Sequence, residues 1–218
     1  MPGASQTVSS TTPEAPPARA RSDELERVRQ LVADIRGCRV CADRMEPEPR
    51  PVVRLDPNAR ILVIGQAPGV RVHAVGAPFV DASGDRLRAW MGIGEEVFYD
   101  PERIASAPAG FCFPGLTSAG ADRPPRRECA PLWQARVRDI LPRLRLTLLV
   151  GGHAHRLRLG TAASRGVTET VRDYASVLPE AFPLPHPSWR NTGWIKANPW
   201  FERELLPDLR ARVADALA

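Results

Sequence analysis

The sequence predicts a three-layer α/β/α sandwich built on a central, mostly parallel sheet. Three observations carry this expectation. Two short runs, Ile61-Leu62-Val63-Ile64 and Leu146-Thr147-Leu148-Leu149-Val150, are almost wholly apolar, as strands buried on both faces must be. Segments with helically spaced apolar residues separate them, and strands alternating with helices assemble into a parallel sheet. Each run also ends in glycine, Gly65 after the first and Gly151-Gly152 after the second. That places permissive loops at the strands' carboxyl ends, where such sheets bind their ligands.

The elements follow in order. Residues 1–21 are rich in Pro, Ala, Ser and Thr, with Val8 as their one bulky apolar side chain. Such a stretch buries too little surface to offset its ordering entropy, so a disordered tail is expected there and a single domain over 22–218. Asp23 and Glu26 make a D-x-x-E capping box. Leu25, Val28, Leu31, Val32 and Ile35 then recur at helical spacing, and Gly37 ends the helix. After the first strand come two glycine-rich loops, GQAPG (Gly65 to Gly69) and GAPFVDASG (Gly76 to Gly84). Leu87, Trp90 and Met91 predict a helix, as do residues 130–141. A third short strand is expected at Phe182 to Leu184, running into HPSWRN at His186. Phe201, Leu205, Leu206, Leu209 and Val213 mark a closing helix.

Composition bounds the chemistry. A chain of 218 residues makes one domain with a proper core. No apolar run approaches a membrane span, and the N-terminus lacks a signal peptide's hydrophobic region. A cytoplasmic setting is therefore expected, where thiols stay reduced. The formal charge of +5 comes mostly from arginine, Lys196 being the one lysine. Guanidinium forks suit phosphate recognition, and a modest basic excess fits a nucleic-acid partner.

The four cysteines form a close pair, Cys38 and Cys41, and a wide pair, Cys112 and Cys129. A long chain with no leader does not read as a disulfide framework. Close-plus-wide spacing suits four thiolates converging on one metal centre, an iron–sulfur cluster or a structural zinc. Spacing alone does not separate the two, and unrelated buried thiols are the plainer alternative.

GQAPG after a buried strand, then G-x-PF-x-D-x-SG, then a late HPS loop resembles the uracil-DNA glycosylase superfamily. The C-x-x-C and later C-x16-C are similar to its iron–sulfur branches, families 4 and 5 of bacteria and archaea. The resemblance spans the chain from about Asp23 to the last helix. It implies a four-stranded parallel sheet, DNA bound at the strand ends, and a [4Fe-4S] cluster on Cys38, Cys41, Cys112 and Cys129, with zinc the lesser alternative. A bacterial, nucleoid-associated monomer acting on uracil-containing DNA is the expected working form.

The same resemblance assigns roles. His186 would donate a hydrogen bond to the uracil as it departs as an anion, although a histidine in a turn can simply bond local backbone. Asp81 would position water and offset positive charge on the sugar; it also precedes a helix it can cap. Phe79 would stack on the flipped base, or else pack in the core. The amides of Gln66, Ala67, Pro68 and Gly69 would wrap the base edge. Ser188 would hold a flanking phosphate, and Trp189, Arg190 and Asn191 would probe the minor groove.

The chain departs from the pattern at three places. Ala67 stands where the best-known members carry Asp, and the neutral Gln66 where family 4 is acidic. Before Cys112, residues 107–110 (Ala-Pro-Ala-Gly) offer no amide side chain to read the base. Backbone groups are the expected substitute, and His153 and His155, which follow the second strand, are further polar candidates or helix-start residues. The reading is a monofunctional glycosylase for uracil or a related deaminated pyrimidine, since neither catalytic loop holds a lysine for a lyase step. The alternatives are a glycosylase for another base, such as hypoxanthine, and a catalytically weak lesion-binding protein on the same fold.

Overall fold

The structure is a computed structural model and describes residues 18–218. The first seventeen residues of the expected tail lie outside the described residues. Helix α1 spans Ala18–Arg36, so the helix already covers residues 18–21 and the expected boundary at residue 22 falls inside it. Asp23 and Glu26 therefore sit within the helix instead of capping it, and Glu26 pairs with Arg29 at 3.9 Å. Val28, Leu31 and Ile35 are buried as their spacing requires. The helix stops where Gly37 N donates to Ala33 O at 2.9 Å.

The chain then builds β1 (Ile61–Ile64), α2 (Val70–Val75), α3 (Ala82–Met91), α4 (Glu95–Tyr99) and β2 (Ile104–Ser106). It continues with α5 (Cys129–Asp139), β3 (Leu146–Val150), α6 (Gly152–Leu159), α7 (Val167–Arg172) and β4 (Phe182–Leu184). α8 (Thr192–Ala197), a π turn at Phe201–Leu205 and α9 (Leu206–Leu217) complete it. The sheet has four strands in the order β2-β1-β3-β4, all parallel. Pro183 is tolerated in β4 because that strand is an edge.

Side-chain alternation divides the core into the two outer interfaces of a three-layer sandwich. Ile61, Val63, Leu146, Leu148 and Val150 pack with Leu87 and Trp90 of α3 and with Phe201, Leu209 and Val213 near the C-terminus. Leu62, Ile64 and Leu149 face the other way, onto Val28, Leu31 and Ile35 of α1 and Trp133 and Val137 of α5. Because all four strands are parallel, their carboxyl ends share one edge. That edge delivers Gly65, Ser106, Gly151 and His186 to the same place.

Candidate active site

At the strand ends lies a cavity of about 130 Å³. Gln66, Ala67, Pro68 and Gly69 wall it from the loop after β1, Phe79 and Asp81 from the next loop, and His186 and Ser188 from the loop after β4. These are eight of the residues singled out in the sequence, brought together from three separate segments.

His186 is fixed from both sides of its ring and backbone. Its Nδ1 accepts from Ser188 N at 3.2 Å, so a neutral ring carries its proton on Nε2. Burial holds its pKa below the ordinary imidazole value, although the carboxylates of Asp81 and Asp122 pull the other way. The ring is thus neutral near pH 7 and offers one N–H donor. Its carbonyl accepts from Asn191 Nδ2 at 2.7 Å, and its Cβ would lie 3.3 Å from a Cβ at Gly151, whose φ of +84° also favours glycine.

Asp81 caps α3, its Oδ1 accepting from Gly84 N at 3.1 Å. The capping role weighed in the sequence is therefore filled, while the same carboxylate also lines the cavity. Phe79 has φ 58°, the one non-glycine residue with positive φ among the described residues. Its carbonyl accepts from Tyr99 Oη at 2.8 Å and from Arg88 at 3.4 Å. Its ring meets Phe98 edge to face, with centroids 5.9 Å apart. Beneath this platform, Arg54 and Arg88 lie over the Phe98 and Tyr99 rings at 5.2–5.7 Å. Burial pushes the Arg54 guanidinium down to about 10. Backbone held in a sparsely populated region by several surrounding bonds is a mark of a functional site.

Trp189, Arg190 and Asn191 do not line the cavity. They form a short 3-10 turn that Ser188 caps, its Oγ accepting from Arg190 N at 3.3 Å. Trp189 is 72% exposed with Arg190 stacked on it at 5.6 Å. Asn191 Nδ2 donates to the His186 carbonyl. His155 does not line the cavity either. Its Nε2 lies 3.1 Å from Leu149 O and 3.0 Å from Leu184 O, so it is a donor that ties the ends of β3 and β4 together.

Two polar cavity residues, Ser106 and Asp122, lie outside the motifs from which the sequence reading built the site. Ser106 ends β2, a three-residue strand with no hydrophobic signature of its own. Asp122 comes from the arm between the third and fourth cysteines. That arm turns back at Gly120, pairs Leu116 with Asp122, and lays Arg123 O 3.4 Å from Gln66 Nε2. No local pattern in either segment announces a site.

The four cysteines line a second, small cavity together with Arg126. Burial, then the sulfurs of Cys129, Cys38 and Cys41, push the Cys112 thiol up to about 12. The Nε of Arg126 is buried there without a partner among the described residues. No set of three or more His, Cys, Asp or Glu side chains among the described residues is gathered tightly enough for a single ion.

Residues 52–210, more than half of the chain, match the family model described as the Uracil DNA glycosylase superfamily. The match takes in the loops at 65–69, 76–84 and 186–191 and the wide cysteine pair, and begins after Cys38 and Cys41.

Proposed function

Because the chain belongs to the uracil-DNA glycosylase superfamily, we propose that it is a monofunctional DNA glycosylase. It flips a uracil or related deaminated base into the cavity at the strand ends, hydrolyses the N-glycosidic bond and leaves an abasic site. One observation carries this reading: a half-buried, neutral His186 with its free donor on Nε2, in one cavity with Phe79 and Asp81.

The transition state places positive charge on the sugar and negative charge on the departing base. A fixed donor such as Nε2–H strengthens its bond as the base oxygen gains charge, and so favours the transition state over the ground state. A neutral donor also stays bound to the neutral substrate without an ion's desolvation cost. The Phe79 ring gives the flipped base a face to stack on. Asp81 offers negative charge where the sugar turns positive, and its bond to Gly84 N holds that carboxylate still. Trp189, unburied beside the His186 loop, is placed to fill the gap the flipped nucleotide leaves. Arg86 braces that loop against α3 through Ser188 O at 2.9 Å.

The donor set at the second cavity fits an iron–sulfur cluster. Four sulfurs line one space, burial and the neighbouring sulfurs push the Cys112 and Cys129 thiols up, and a metal would let such thiols carry charge as thiolates. Cys38, Cys41, Cys112 and Cys129 would hold it, and Arg126 Nε would donate toward it. When bound, the cluster supplies cross-linking of α1, the arm and α5, and no step of base release passes through it.

Base release from a labelled single-stranded oligonucleotide carrying one uracil, followed by alkali cleavage, tests the reading. Wild type is expected to cut, and Asp81→Asn and His186→Ala to lose roughly a hundredfold or more in rate. Brown protein absorbing near about 400 nm is expected alongside. Cluster-loaded wild type that releases no base would overturn the assignment.

A further inference from the structure

The wall of the cavity formed by β2 and residues 107–110 has almost no polar group left to give. The N–H groups of Ala107, Ala109 and Gly110 donate to Val63 O, Gly65 O and Gln66 O at 3.1, 2.9 and 2.9 Å. Pro108 has no N–H, and the carbonyls of Ala107 and Pro108 accept from Gln134 Nε2 at 3.2 and 2.8 Å. These N–H groups are spent on joining the wall to the first loop and are not free to read the base.

Ser106 is the exception. Its own N–H and carbonyl bond Arg54 O and Arg54 N at 2.7 and 3.0 Å, which fixes its backbone. The residue is 1% exposed yet lines the cavity, and no described residue hydrogen-bonds its hydroxyl. Asp81 is engaged in its cap, Gln66 with Arg123 O and Ser188 with Arg190 N, while Ser83 and Asp122, which also line the cavity, share with Ser106 the lack of such a bond among the described residues. A hydroxyl that lines a cavity with no bond from the protein is open to one from a ligand.

We propose that Ser106 is the specificity-determining residue that reads the edge of the flipped base. The inference rests on the glycosylase reading and refines its substrate class. One hydroxyl donates one hydrogen bond and accepts others while rotating freely. It therefore satisfies a carbonyl or the N–H beside it, but does not hold both in the fixed two-point register that a side-chain amide imposes. Sites discriminate strongly only where unmatched polar groups would be left unpaired. The substrates are accordingly deaminated bases that present a carbonyl next to an N–H, uracil and hypoxanthine alike, with a shallow preference between them.

Single-turnover release of uracil and of hypoxanthine is compared in wild type, Ser106→Ala and Ser106→Asn. Affinity for an abasic-site oligonucleotide and the thermal midpoint are measured beside it. Ser106→Ala is expected to slow release of both bases roughly tenfold, with abasic-site affinity and midpoint unchanged because neither involves the base. Ser106→Asn is expected to widen the ratio between the two bases. Ser106→Ala that releases uracil within about twofold of wild type overturns this inference and leaves the glycosylase reading standing. Wild type that releases no base from either substrate overturns both.

Discussion

Phe79 is the residue on which the geometry of the site depends most visibly. Its left-handed backbone turns the ring toward Gly65, where a Cβ would meet Phe79 Cζ at 3.3 Å. A Cβ on Gly84 would stand 1.8 Å from Phe79 O, so the capped start of α3 can approach this loop only as glycine. Gly84→Ala is expected to cost at least about 3 kcal/mol of stability in a denaturant melt, since the blocking atom is backbone held by Tyr99 and Arg88. Tyr99→Phe separates positioning from mere packing. It removes the 2.8 Å bond to Phe79 O at a stability cost of about 1 kcal/mol. It is also expected to weaken binding of uracil-containing DNA while abasic-site affinity holds, because the ring that stacks on the base loses its anchor. Equal weakening for both DNAs would refute the positioning role.

At the scale of elements, the most informative segment is the arm between Cys112 and Cys129. It holds one isolated bridge and otherwise no regular structure, yet it brings Asp122 to the cavity and supports Gln66. Near Cys112 the buried Phe113 ring holds it against His73, with centroids 5.8 Å apart; farther on, its attachments are Gln66 Nε2 to Arg123 O at 3.4 Å and Glu128 to Arg44 at 2.8 Å. Exposed ion pairs contribute little, so the proposed cluster would be the main tie at the Cys129 end of the arm. Chelation of iron under reducing conditions is expected to open tryptic sites at Arg126 and Arg127, read by mass spectrometry, while the strand-bearing core stays uncut. An arm equally resistant with and without iron would sink the cross-linking role. This segment also explains what sequence could and could not tell. β1 and β3 were legible because burial on both faces demands unbroken apolar runs, and the 79–81 and 186–188 loops because each carries a motif directly after or between elements. β2 was not, since three residues, Ile104-Ala105-Ser106, carry no periodicity, and their strand status comes only from register against Ile61–Val63. Ser106 inherits that invisibility, and Asp122 depends on how an irregular arm happens to fold back. α1 includes residues ahead of its D-x-x-E pattern because Ala18–Arg21 are themselves good helix formers.

For the whole molecule, the four histidines set the response to acid. His73, His153, His155 and His186 all have pKa values lowered first of all by burial. The folded state therefore binds fewer protons than the unfolded chain once the pH falls through the ordinary imidazole value of 6.5. Stability is fully present above that value and declines as the pH drops through it toward the depressed folded values, because stability rises with pH wherever the unfolded state holds more protons. Each pKa unit of depression is worth about 1.4 kcal/mol. The carboxylate of Asp34, held low by hydrogen bonds from Arg136 and Gln30, acts only in a separate window below its usual 3.8. His155 dominates the upper window on geometry: it is buried, its Nε2 already serves two carbonyls, and its Nδ1 has no partner among the described residues to receive a second proton. Thermal midpoints at pH 8, 7, 6 and 5.5 (values bracketing about one unit either side of a free imidazole) are expected to fall steadily below pH 7 in wild type. In His155→Gln, whose amide can donate to Leu149 O and Leu184 O without titrating, the fall should be smaller. Equal slopes in the two proteins would show that the strand-end histidine does not govern acid stability. The same tie joins stability to function, since Leu184 O also accepts from Gly151 N at 2.9 Å. A proton on His155 Nδ1 would be buried without a partner among the described residues beside these strand ends, and base release measured across the same pH series is expected to fall before the protein unfolds.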